Sequence, residues 1–176
     1  MWVHGRTSRS GIYCVYFSFS FTPINHTKMS SQPHRILMLE HDEDDRFITS
    51  SVLAGLSHNI AVDFVTTPEA LFHHLATGPL PDIIILDFML PSGSGLDVLK
   101  AIKSNDAYRH IPVLIASGSP HKDVVLECYR AGASSFFEKP SNDRDTSEKI
   151  KVVMDYWFGM AELPMQPKLN RTAANL

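Results

Sequence analysis

Four branched apolar residues in a row, Ile83-Ile84-Ile85-Leu86, run directly into Asp87 and then Phe88-Met89-Leu90-Pro91. A run without polar alternation reads as a strand buried on both faces, and such strands belong to parallel sheets covered by helices on each side. Burying a carboxylate there without a partner is costly, so Asp87 needs a reason to stand at the end of that strand. In open parallel sheets, ligands bind just beyond the carboxyl ends of the strands. Asp87 lies at such an end, with Pro91, Gly93 and Gly95 opening a loop after it. A turn-capping aspartate is the plain alternative, and the rest of the chain has to decide.

The surrounding pattern alternates from Arg35 onward. Segments 36–39, 60–65, 83–86, 111–116 and 134–137 read as strands. Between and after them, helical periodicity covers 44–57, a stretch opening at Pro68 behind a Thr67 N-cap, 95–104, 121–131 and 143–160. Gly132 marks the end of the fourth helix. Five strands alternating with five helices predict an α/β fold with a doubly wound five-stranded parallel sheet.

At 176 residues and 44% hydrophobic content, one domain with a sizeable core is expected, over residues 34–160. The formal net charge of −3 leaves no electrostatic footprint for nucleic acid. Cys14 and Cys128 match no metal or redox spacing and point to a reduced, cytoplasmic setting. No apolar run approaches the roughly 18 residues that span a bilayer. Residues 1–33 read as an extension, either disordered or the product of an upstream start site, with Met29 as a natural beginning. Basic residues before the aromatic-serine stretch at 11–21 resemble an export signal, but no small-residue cleavage site follows. Residues 161–176 lack periodicity and are expected to be disordered.

Polar residues gather at the expected strand ends. Glu40, His41 and Asp42 follow the first strand, Asp87 the third, Ser117 and Gly118 the fourth, and Lys139 with Pro140 the fifth. Carboxylates without thiols suit a hard cation such as Mg²⁺, which keeps waters for a phosphate. A lysine and a hydroxyl suit phosphoryl oxygens, so the set suffices for phosphoryl transfer to a carboxylate. Other readings fall away. His73 and His74 are adjacent on a helix and do not face each other. Gly93-Ser94-Gly95 is too short and wrongly placed for a dinucleotide fingerprint. A hydrolase of the haloacid dehalogenase type would want an aspartate where Met89 stands. Asp45 and Asp82 read as structural.

In these stretches the chain resembles the receiver domains of two-component response regulators, which have a flavodoxin-like fold. The resemblance rests on ILMLEHDEDD at 36–45, PDIIILDFMLPSGSG at 81–95, IPVLIASG at 111–118 and SFFEKP at 135–140, in order and in register. It implies that Asp87 accepts a phosphoryl group from a sensor histidine kinase or a histidine phosphotransfer protein. It also implies that Ser117 binds a phosphoryl oxygen, that Lys139 pairs with Asp87, and that Phe136 is the switch aromatic. Glu40, Asp87 and the Met89 backbone carbonyl would hold Mg²⁺.

One position departs from the pattern. The family places two acids after the first strand, and this chain has Glu40 followed by His41. An imidazole suits Mn²⁺ or Zn²⁺ better than Mg²⁺, so Mn²⁺ is an alternative cofactor. His41 and Asp42 are both candidates for the missing ligand. Should neither serve, the chain would be a degenerate receiver, a phosphorylation-independent interaction module.

The last helix carries Ile150, Val153, Met154, Trp157 and Ala161 on one face, and Val152, Tyr156 and Met160 on a second row. One broad buried face is the simplest account; a homodimer surface made by the last helix and strand is the other. The Asp-Tyr-Trp-Phe segment resembles stand-alone receivers associated with phytochromes. The short tail leads to the expectation of a single-domain response regulator. It would signal by protein contact or pass phosphate along a relay. It would be no enzyme, though it would assist its own phosphorylation and dephosphorylation.

Overall fold

The computed structural model describes residues 32–91, 93–118, 121–139 and 143–164. Nearly all of the expected extension, most of the expected disordered tail and Pro140 lie outside the described residues. In chain order the elements are β1 (His34–Leu39), α1 (Glu43–Ala54), β2 (Ile60–Val65), α2 (Pro68–Thr77), β3 (Ile83–Asp87), β4 (Met89–Leu90) and β5 (Gly93–Ser94). They continue with α3 (Gly95–Ser104), β6 (Val113–Ser117), α4 (Lys122–Arg130), β7 (Ser135–Glu138) and α5 (Asp143–Gly159).

Five strands form a parallel sheet in the order β2-β1-β3-β6-β7. Every residue of the central strand β3 is buried, as its unbroken apolar run requires. Strand alternation divides the core in two. Leu37, Leu39, Ile84 and Leu86 face α2, α3 and α4, meeting Leu71, Leu75, Leu99, Ile102 and Cys128. Ile36, Met38, Ile83 and Ile85 face α1 and α5, meeting Leu53 and Met154. Helices on both faces make the sheet doubly wound, and each fully buried Leu or Ile contributes about 1.5–3 kcal/mol.

Local chemistry explains where elements start and stop. Thr67 accepts from the Ala70 amide at 3.2 Å, with Pro68 in the first turn of α2. Gly132 has φ +97°, and behind α4 the Ala133 amide donates to the Cys128 carbonyl at 2.9 Å. The first helix ends at Ala54, short of the expected 57, because Gly55 caps it. The fourth strand begins at Val113, after Pro112, which has no amide to donate to the ladder.

Two features differ from expectation. Strands β4 and β5 pair antiparallel as a small hairpin, with Met89 opposite Ser94 and Leu90 opposite Gly93, in place of the expected open loop. On α5, Ile150, Val153, Met154 and Trp157 pack on the sheet. Val152, Tyr156 and Met160 do not: they are 67%, 50% and 80% exposed. The single broad buried face is therefore incorrect. The sheet accommodates one row, and the second faces outward.

Candidate acid pocket at the strand ends

The parallel topology delivers the carboxyl ends of β1, β3, β6 and β7 to one edge, and the polar residues arrive there together. Asp87 lies opposite Ala116, and Ser117 lies opposite Glu138, one residue before Lys139. Glu40, Asp87 and Ser117 are polar residues buried at the carboxyl ends of β1, β3 and β6. Asp87 is oriented by its own loop: the Met89 amide donates to its Oδ1 at 3.0 Å. The hairpin then returns the chain so closely that a Cβ on Gly95 would collide with the Asp87 carbonyl, so only glycine fits. Gly93, at φ +135°, supplies the backbone conformation that the hairpin needs.

Lys139 is the electrostatic centre. Its Nζ lies 2.5 Å from Glu40 Oε2, 2.9 Å from Asp45 Oδ2 and 3.2 Å from Asp87 Oδ2. Burial alone would lower the lysine, but the hydrogen bond and charge of Glu40, then Asp45 and Asp87, hold it well above its ordinary value. Glu40 moves upward: burial raises it and Asp87 adds repulsion, only partly offset by Lys139. Three carboxylates thus share one ammonium. Lys139 stays protonated, and the excess negative charge invites a cation.

The residues after β1 divide their roles. His41 Nδ1 stands 3.3 Å from Asp87 Oδ2 and 3.7 Å from Glu40 Oε1. Glu40, His41 and Asp87 each offer a ligand atom, all within 4.8 Å of one another. Asp42 is not part of that group. Its Oδ1 accepts from the Asp44 and Asp45 amides at 2.9 and 3.1 Å, capping α1. Those bonds hold its carboxyl below its usual range. Asp45, by contrast, is more than structural, because the first turn of α1 aims it at Lys139. Nothing in the spacing of the acidic run marks it; only the helix start at Glu43 does. Asp82 does act structurally, accepting from the Arg35 amide at 2.8 Å.

Phe136 lies half-buried on β7, packed against the core on the α4 side, and its amide donates to the Tyr129 hydroxyl oxygen at 3.2 Å. Met89 is largely exposed at the rim. His74 reaches Asp63 at 3.6 Å, away from the pocket.

A phosphoryl-receiving signalling module is the class that this fold and acid pocket define. The chain belongs to the response regulator receiver domain family, whose profile matches residues 36–151. It is similar to the response regulator Rcp1 of Synechocystis, with 26% identity covering 77% of this chain and 96% of Rcp1. PhoB of Klebsiella pneumoniae is 36% identical over 68% of this chain and 51% of that regulator. Among solved structures, the phosphorylated cyanobacterial phytochrome response regulator RcpA superposes with a TM-score of 0.72 at 26% identity, covering 76% of this chain and 99% of RcpA. The Mn²⁺-bound form of Rcp1 superposes with a TM-score of 0.71 at 25% identity, covering 75% of this chain and 99% of that one. Receiver domains are the phosphoryl-accepting signalling domains of two-component systems. Among the described residues, no helix is long and apolar enough to cross a membrane.

Proposed function

We propose that Asp87 is the phosphoacceptor and that a sensor histidine kinase or a histidine phosphotransfer protein is the donor. The observation that carries this is a buried carboxylate at the end of the central strand, held 3.2 Å from the Lys139 ammonium. An Asp87 carboxylate oxygen attacks phosphorus, the bond to the donor imidazole breaks, and the imidazole leaves. Lys139 follows the growing negative charge, and Ser117 takes a phosphoryl oxygen once its strand end moves. Phe136 then turns inward from its half-buried place as the switch aromatic.

A divalent cation fits the donor set. Glu40, Asp87 and the Met89 carbonyl, with His41, would hold it, and it would neutralise phosphoryl oxygens during transfer. Mg²⁺ is the family's ion and Mn²⁺ the alternative. In this reading the chain's own residues also assist phosphorylation and dephosphorylation, in the cytoplasm, with output by protein contact. The outward row Val152, Tyr156 and Met160 supports a homodimer through α5 and β7. The phosphate-independent reading has only the replacement of an acid by His41 in its favour.

The test is the intact mass after incubation with acetyl phosphate and a divalent cation. The protein gains one phosphate, about 80 Da, and Asp87→Asn gains none. Equal labelling of both proteins contradicts the assignment.

A further inference from the structure

We infer that His41 is a direct nitrogen ligand, so that the acid pocket is a mixed nitrogen–oxygen site selecting Mn²⁺ or Zn²⁺ over Mg²⁺. The inference rests on the proposed phosphoacceptor site and specifies which cation that site takes.

Distance and chemistry carry the argument together. Two bonds of about 2.1 Å to one cation place their donor atoms about 3.0 Å apart at a right angle and about 3.4 Å apart at a tetrahedral angle. His41 Nδ1 lies 3.3 Å from Asp87 Oδ2 and 3.7 Å from Glu40 Oε1. His41 Nδ1 and Asp87 Oδ2 therefore already stand at the separation that a single cation bridges, and Glu40 Oε1 comes within that range by closing a few tenths of an ångström, all three ligand atoms lying within 4.8 Å of one another. The opposite oxygen of Glu40, Oε2, is occupied by Lys139, and Asp87 Oδ1 by the Met89 amide. His41 faces the other two oxygens: Glu40 Oε1, which accepts from the Asp42 amide at 3.1 Å, and Asp87 Oδ2, which lies 3.2 Å from Lys139 Nζ, each with a lone pair left for a cation. Asp42, the other carboxylate at this turn, is committed to the first amides of α1. No second hard oxygen from this loop replaces the imidazole.

Mg²⁺ binds through oxygen ligands and holds its waters, gaining little from an imidazole. Mn²⁺ and, more strongly, Zn²⁺ accept one readily, and their affinity for such sites rises in that order. His41 is partly exposed, so its ring can settle onto the ion without disturbing the core.

The unphosphorylated full chain loaded with Mn²⁺ should show, by electron spin echo envelope modulation, ¹⁴N coupling from a directly bound imidazole. The coupling should vanish in His41→Asp and His41→Ala. In Mn²⁺ displacement titrations, the preference for Mn²⁺ over Mg²⁺ should fall by about tenfold or more in His41→Asp. Absence of ¹⁴N coupling in the unmodified protein overturns the inference whether or not the variants fold. An unchanged preference in a folded His41→Asp does the same. Acyl phosphate formation is scored separately. Labelling of Asp87 with an unchanged metal preference defeats this inference alone. A ¹⁴N-coupled site that never takes phosphate supports the ligand role and defeats the proposed function.

Discussion

Lys139 has three acidic neighbours, and Asp87, the proposed phosphoacceptor, is the most distant of them. At rest the ammonium is therefore drawn toward Glu40 and Asp45 as well as toward Asp87. A phosphoryl group on Asp87 carries about −1.5 to −2 where the carboxylate carried −1, and pulls the lysine back. Asp45 competes for it throughout. Replacing Asp45 with Asn removes one competitor and lightens the negative charge that an incoming phosphate must approach. The phosphorylated fraction at steady state with acetyl phosphate should rise about threefold, which corresponds to about 0.7 kcal/mol of Coulombic balance at a partly solvent-screened carboxylate. Mass spectrometry of Asp45→Asn beside the unmodified protein checks this; an equal or smaller fraction contradicts it. The role of Asp45 was not legible in the linear sequence. A run of four acids looks alike at each position until a helix begins at Glu43 and turns one of them inward. Asp42 carries the opposite lesson. An aspartate just before a helix is a preferred N-cap, and its oxygen is used for capping rather than for metal.

At the scale of elements, the strands were legible because their residues leave no second interpretation. The buried run of β3, the β2 boundaries at Ile60–Val65 and the Thr67-Pro68 start of α2 all appear as the pattern predicts. The β4–β5 hairpin was not, because two-residue strands carry no periodicity. It nevertheless sets the site, since it brings Gly95 against the backbone of Asp87. A methyl group there has no rotamer escape, because the obstacle is the main chain. Gly95→Ala should cost about 2 kcal/mol of stability and displace Asp87 enough to slow phosphorylation. Urea unfolding and the labelling rate, measured on the same sample, test both halves. Unchanged stability would contradict the close approach. On α5, periodicity revealed two apolar rows but not which one the sheet would cover, a question of three-dimensional packing rather than of composition.

At the scale of the whole molecule, the outward row on α5 is an apolar surface left in water among the described residues. Val152, Tyr156 and Met160 lie four residues apart, on one side of the helix. On α4, Leu126 and Tyr129 are likewise about half exposed. Apolar rows of this kind mark interaction sites. Sedimentation equilibrium should show a dimer that weakens about tenfold or more in Tyr156→Arg, since a central interface aromatic is worth upward of about 1.4 kcal/mol. A monomer at all concentrations would contradict the dimer. The central claim is that the fold exists here to present Asp87 to a phosphoryl donor. Its most direct measurement is borohydride reduction of the phosphorylated protein, which converts an aspartyl phosphate to homoserine, followed by peptide sequencing. The account predicts homoserine at position 87 and nowhere else. Homoserine at another aspartate, or none in a protein that has gained phosphate, would contradict it.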